Sequence, residues 1–155
     1  MRVHLGGDHA AYETLVDLVT FLTQEGHEVI NHGPHSYDAL DDYPVFVLRC
    51  AEAVAADEGS LGVVLGGSGN GEQIAANKVR GIRAALAYNE EMASLARQHN
   101  NAQVVSIGGR MNTLEQARAI VATFLATPWS QAERHQKRLD MLSAYEADGS
   151  LPPLP

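Results

Sequence analysis

The 155-residue sequence holds a single cysteine, Cys50. One thiol excludes an intramolecular disulfide framework and any multi-cysteine metal cluster within the chain. Cations are also scarce: 11 Lys and Arg stand against 19 Asp and Glu, a formal net charge of −8. That balance argues against a general nucleic-acid binder, which carries a basic footprint. It equally opposes electrostatic docking on anionic lipid. A small anionic substrate remains compatible, because a few cations can gather locally. No run approaches the roughly 18 apolar residues that cross a bilayer. The start, Met1-Arg2-Val3-His4-Leu5-Gly6-Gly7, lacks the apolar h-region of a secretory leader. A soluble, cytoplasmic protein is expected, and an unpaired thiol suits that reducing compartment. What is present is globular in composition, 45% apolar and 19% charged. The length fits one domain able to bury roughly two thirds of its unfolded surface.

Short apolar runs alternate with helical periods. Val3-His4-Leu5 reads as a first strand ending in Gly6-Gly7-Asp8. Leu15, Val16, Val19 and Leu22 give a helix with one apolar stripe, capped by Gly26. Glu28-Val29-Ile30 is a second strand, and His32 to Asp42 a loop. Tyr43-Pro44 opens a second helix with Val45, Leu48, Ala51 and Val54 as its stripe, ended by Gly59. Leu61 to Leu65 is a nearly continuous apolar strand, as in a sheet covered on both faces. It runs into Gly66-Gly67-Ser68-Gly69-Asn70-Gly71 and a short helix from Glu72 to about Lys78. Ile82 to Leu86 is a fourth strand, and Asn89 caps a helix to about Gln98. Val104 to Ile107 is a fifth strand, ending in Gly108-Gly109. Thr113-Leu114-Glu115-Gln116 fits a capping box for a helix to about Ala126, stopped by Pro128. A last amphipathic helix covers about Gln131 to Ala147. The alternation predicts an α/β fold with a parallel sheet and right-handed crossovers. Ligands then bind beyond the C-terminal strand ends. Three of those ends carry glycine pairs, and their convergence marks the expected site.

The loop Gly66 to Gly71 can bind an anion with its amides. Its spacing nearly matches a Walker A loop, but Glu72-Gln73 stands where Lys-Ser/Thr is needed, and a carboxylate repels a polyphosphate. The dinucleotide fingerprint is imperfect, although Glu90 lies near the ribose-binding distance. A nucleotide-binding regulatory domain is therefore the alternative from a different class. An ionised Glu72 beside backbone donors can abstract a carbon-bound proton, while the same donors hold the developing oxyanion. His9, after Asp8, and His99, before Asn100-Asn101, are candidate acids. His32 and His35 lack a completing ligand cluster, so no metal and no cofactor is assigned. Arg134, Lys137 and Arg138 cluster on the last helix, Arg134 and Arg138 on one face, and Arg110 follows the third glycine pair. Guanidinium forks suit phosphate oxygens. A carboxylate base, a His acid, an amide nest and Arg groups together suit proton transfer on a small phosphorylated carbonyl compound. Cys50 reads as a packed thiol.

Gly6-Gly7-Asp8-His9-Ala10, Asp42-Tyr43-Pro44, Gly66 to Glu72, Ala75-Ala76-Asn77-Lys78, Gly81-Ile82-Arg83-Ala84, His99-Asn100-Asn101-Ala102 and Gly108-Gly109-Arg110 resemble the type B ribose-5-phosphate isomerases. The resemblance spans roughly residues 1 to 145 and includes the related galactose-6-phosphate isomerase subunits. It implies a three-layer Rossmann-like fold with a five-stranded parallel sheet. Residues 1–147 would form the isomerase domain and 148–155 a flexible tail. It implies a homodimer or a dimer of dimers with a shared active site, the C-terminal helix reaching the partner. The reaction implied is metal-free interconversion of ribose 5-phosphate and ribulose 5-phosphate. Many members use a Cys in the glycine loop as base, and Gly66 stands in that position here. Glu72 then matches the mycobacterial-type branch, in which a Glu takes the base role. By resemblance Asp8 and His99 assist ring opening, and Glu72 moves a proton between C1 and C2 through a cis-enediolate. Ser68, Gly67 and the amides of Gly69, Asn70 and Gly71 hold the sugar oxygens, with Asn100. His9, Arg110, Arg134 and Arg138 bind the phosphate, and Tyr43 lines the pocket. Galactose 6-phosphate or allose 6-phosphate is the alternative substrate.

Overall fold

In the computed structural model, which describes residues 1–154, five strands alternate with six α-helices. Pro155, the last residue of the expected tail, lies outside the described residues. Strand β1 (Arg2–Gly7) leads through a 3-10 turn (His9–Ala11) to α1 (Tyr12–Gln24). Then come β2 (Glu28–Asn31), α2 (Tyr43–Ala56), β3 (Leu61–Gly66) and α3 (Asn70–Ala76). The chain continues through β4 (Ala84–Leu86), α4 (Glu90–Asn100), β5 (Val104–Gly108), α5 (Leu114–Ala126) and α6 (Glu133–Asp148). Among the described residues no helix is long and apolar enough to cross a membrane.

The strands form one parallel sheet in the order β2-β1-β3-β5-β4. From β1 the chain first adds β2 on one side, then crosses to β3 on the other. The order therefore switches between β1 and β3, where an open α/β sheet leaves a crevice at its C-terminal edge. Register sets Gly6 and Gly7 beside Val64 and Leu65, and Gly66 beside Gly108. The three glycine pairs thus end neighbouring central strands.

Side chains alternate across the pleat. Val3, Leu5, Val63, Leu65, Val105 and Ile107 pack against α1, α4 and α5. Val64 and Val104 pack with α2 and α3 on the other face. The helices take their ends from local chemistry. Asn89 caps α4 by accepting the Met92 N–H at 2.8 Å, and Thr113 and Gln116 form the expected capping box of α5. Gly26, at φ 83°, follows α1 in the left-handed region as a helix-ending glycine does.

Two expected stripes are rotated. On α1 the buried residues are Thr14, Leu15, Leu18 and Leu22, whereas Val16 is 48% exposed. On α2 Val47, Cys50, Ala51 and Val54 face the sheet, while Val45 and Leu48 are exposed. Both helices carry more apolar positions than one face can hold. Periodicity finds a stripe but does not say which of two meets the sheet. Boundaries also shift: β4 begins at Ala84 rather than Ile82, α3 at Asn70 rather than Glu72, and α6 spans Glu133–Asp148 rather than 131–147.

Candidate active site

Beyond β3 the chain turns through Gly66 to Gly69 into α3. Gly69 sits at φ 82°, the left-handed region that glycine tolerates, as the residue before the helix. Its carbonyl is fixed twice, by the Gln73 N–H at 3.0 Å and by the Ser106 hydroxyl at 2.7 Å. Tyr88 donates its hydroxyl to the Ser68 carbonyl at 2.9 Å. The Arg110 N–H donates to the Gly67 carbonyl, joining the glycine loop to the end of β5. The loop is therefore held from its outer side, and its peptide planes are set before any ligand arrives.

Glu72 lies in the first turn of α3 and is buried, 4% exposed. Its carboxylate folds back under the strand end. A Cβ built at Gly66 would fall 1.9 Å from Glu72 Oε1 and 2.1 Å from its Cδ. The absence of a side chain at Gly66 is what makes room for the carboxylate. Burial pushes the Glu72 pKa up, and the nearby Asp8 charge adds to the rise. The backbone N–H groups of Glu72 and Gly69 counteract part of it. Tyr43, at the start of α2, lies over the loop: a Cβ at Gly71 would meet its ring at 2.8 Å.

Asp8 and His9 follow β1 at the same edge. Asp8 is buried and accepts the Ala10 N–H at 3.0 Å. Burial raises its pKa above the usual aspartate value, while His9 and Arg110 lower it. His9 Nδ1 lies 2.8 Å from Asp41 Oδ1, and the His9 backbone N–H donates to the same oxygen at 2.9 Å. The Arg110 guanidinium lies above Gly67, where a Cβ would come within 3.5 Å of it. Asp8, His9 and Asp41 present potential metal-ligating atoms within 4.8 Å of one another. As they stand, Asp41 Oδ1 is engaged by His9 and Asp8 Oδ1 by the Ala10 amide.

The remaining expected residues lie elsewhere in the chain. His99 and Asn100 occupy the last turn of α4. Crossover helices run antiparallel to their strands, so this turn lies at the N-terminal strand edge, about 17 Å from the glycine pairs along a five-residue β5. There the His99 ring lies 4.3 Å, centroid to centroid, from that of His135 on α6. His135 is buried, and Ser130 Oγ lies 3.0 Å from its Nδ1. Burial lowers its pKa first, then His99, Arg134 and Arg138 nearby. The expected residues therefore fall into two groups in a single chain. One holds Glu72, Ser68, Asp8, His9, Tyr43 and Arg110; the other holds His99, Asn100, Arg134 and Arg138. Within one chain the direction of α4 keeps His99 away from the glycine edge. A hollow of about 830 Å³ also lies at the N-terminal edge, beside Arg80 and Arg97. A second, about 480 Å³, opens beside His9 and Gly109.

Sequence reasoning missed Asp41, Ser106 and Tyr88. Asp41 lies in the loop before α2, and only its proximity to His9 gives it meaning. Ser106 and Tyr88 act on loop carbonyls through hydroxyls that no local pattern advertises. Cys50, read as a packed thiol, is fully buried on α2, and burial pushes its pKa up to about 12.

A family model described as Ribose/Galactose Isomerase matches residues 3–142. The chain is 57% identical over 155 residues to a ribose-5-phosphate isomerase B of Mycobacterium tuberculosis, covering 100% of this chain and 96% of that protein. Among solved structures, Clostridium thermocellum ribose-5-phosphate isomerase B superposes with a TM-score of 0.91 at 39% identity, covering 97% of this chain and 100% of that one. The Mycoplasma genitalium ribose-5-phosphate isomerase B, with bound ribulose-5-phosphate, superposes with a TM-score of 0.90 at 34% identity, covering 95% and 97%.

Proposed function

The chain belongs to the ribose/galactose isomerase family, and from that premise we propose that it interconverts ribose 5-phosphate and ribulose 5-phosphate with Glu72 as the base. One observation carries the assignment: the Glu72 carboxylate fills the space beneath the strand end that any side chain at Gly66 would take. It is buried, its pKa is raised, and backbone donors surround it. Such a group takes the C2 proton of the open-chain aldose. The electrons pass onto O1, giving a cis-enediolate. Return of the proton to C1, with transfer of the hydroxyl proton from O2 to O1, yields the ketose. Ser68 and the amides of Gly69, Asn70 and Gly71 hold the two oxygens while charge develops. Asp8 and His99 assist opening of the furanose ring. Gly67 and Asn100 bind the sugar, Tyr43 lines the pocket, and His9, Arg110, Arg134 and Arg138 bind the phosphate.

The half-sites at opposite sheet edges support a homodimer, or a dimer of dimers, in which α6 of one copy carries Arg134 and Arg138 to the Glu72 edge of the other. Exposed apolar side chains are available for that contact: Val45 and Leu48 on α2, Ile74 on α3, Met141, Leu142 and Tyr145 on α6. A nucleotide would meet the Glu72 carboxylate inside the loop it needs for phosphate, which disfavours the regulatory-domain alternative.

The test is turnover by Glu72→Gln. We expect kcat to fall by about 10²–10⁴-fold with KM little changed. Full activity in that variant rejects Glu72 as base. Turnover of allose 6-phosphate or galactose 6-phosphate equal to that of ribose 5-phosphate overturns the pentose assignment.

A further inference from the structure

We propose that Asp41 is a positioning residue that holds His9 by its Nδ1 edge, so that the ring presents Nε2–H as a cation to the substrate phosphate. The proposal rests on the reading of His9 as a phosphate ligand.

Asp41 comes from the loop between β2 and α2, 32 residues from His9 in the chain. Its Oδ1 accepts from His9 twice, from the backbone N–H at 2.9 Å and from ring Nδ1 at 2.8 Å. Two bonds to one oxygen fix both the backbone and the ring of His9, which leaves Nε2 as the free ring nitrogen. The Asp41 side chain is only 9% exposed. Its other oxygen, Oδ2, is buried with no partner among the described residues. A carboxylate so enclosed needs a counter-charge, and the imidazolium is the group placed to supply it.

The surroundings of His9 favour that charge. Asp8 adjoins it in the chain, and Asp41 faces it from the loop. The Tyr37 ring stands edge-on at 6.4 Å, and Tyr12 and Glu13 of α1 border the same hollow. Arg110 acts on Asp8 from the other side. The Asp41 hydrogen bond raises the His9 pKa most, burial opposes it, and the Asp8 charge adds to the rise. The chemical benefit follows from the substrate. A phosphate monoester becomes a dianion above about pH 6, while an unassisted histidine loses its proton near about pH 6.5. Without Asp41 the dianion and the imidazolium would coexist only narrowly. With it, both persist at higher pH, where charge-assisted binding is strongest.

The experiment pairs an NMR titration of His9 in the intact protein with KM for ribose 5-phosphate across pH, in the wild type and in Asp41→Asn. That variant keeps an acceptor for Nδ1–H and removes the charge. We expect its His9 midpoint to fall. Its KM should rise about tenfold near pH 8 yet stay close to wild type near pH 6, with kcat within about twofold. A His9 midpoint that does not move, or a KM rise equal at every pH, overturns the proposal. So does a wild-type His9 midpoint at or below about 6.5, which settles the matter even if Asp41→Asn fails to fold. The titration needs no substrate. Failure of the isomerase reading would instead show as absent turnover by the wild-type protein.

Discussion

At Gly66 the requirement is steric and concerns where the Glu72 carboxylate can sit. A methyl group there would overlap the Glu72 carboxylate, at 1.9 Å from Oε1. The resemblance places a cysteine at this position in many relatives. A thiol at 66 and a carboxylate from 72 would compete for one space, and in this chain the carboxylate occupies it. Gly66→Ala is expected to keep the fold and to expel Glu72, lowering kcat by about 10²-fold as the loss of a positioned base does. A Gly66→Ala enzyme with wild-type kcat would show that the carboxylate works from another position. The pH dependence has a definite sign. A base at Glu72 would act only when ionised, and burial raises its pKa above 4.5. Activity should therefore be lost as pH falls through that raised value. A kcat/KM profile with its acid inflection at or below 4.5, the ordinary glutamate value, counts against Glu72. Cys50 cannot substitute, because a fully buried thiol with its pKa near 12 holds almost no thiolate at neutral pH.

Among the elements, capping signals were readable, whereas exact helix bounds and faces were readable only in part. The capping box of α5 depends on Thr113 and Gln116, three apart in sequence, and it forms as expected. Thr113→Ala should cost about 1 kcal/mol of stability, measured as a lower urea midpoint at unchanged slope. No change would mean that α5 is held by Ile120, Val121 and Phe124 alone, all buried against the sheet. The faces of α1 and α2 depend on how each crossover docks. On α2, Cys50 fills a core position that the apolar stripe assigned to its neighbours, and Val45 and Leu48 turn outward. Strand ends follow the same division. The glycine pairs flag the C-terminal edge, but only the order β2-β1-β3-β5-β4 makes them neighbours.

For the whole molecule, the arrangement of half-sites has a testable consequence. If a two-fold dimer completes each site, a Glu72→Gln subunit and a His99→Ala subunit are complementary. Each is inactive alone. A mixed dimer places both lesions in one site and leaves the other intact. Random reassembly of equal amounts should restore about a quarter of wild-type activity, since half the dimers are mixed and each has one of two sites. No recovery, with mixed dimers confirmed by mass, would mean that each chain completes its own site.

Composition and motif order carried a great deal alone. One cysteine, a deficit of cations, alternating strand and helix periods, and glycines at strand ends point to an α/β enzyme for a small anion. Glu72, Gly66 and the run from Ser68 to Gly71 were legible because they are contiguous, and a loop followed by a helix start has local geometry. Folding added what contiguity cannot hold. It set Asp41 against His9 across 32 residues and Ser106 against Gly69 across 37. It also set His99 and the α6 arginines at the far edge of the sheet. The reason is physical: local pattern fixes backbone conformation over a few residues, whereas these distances depend on strand order and helix direction. Those are properties of the packed sheet alone.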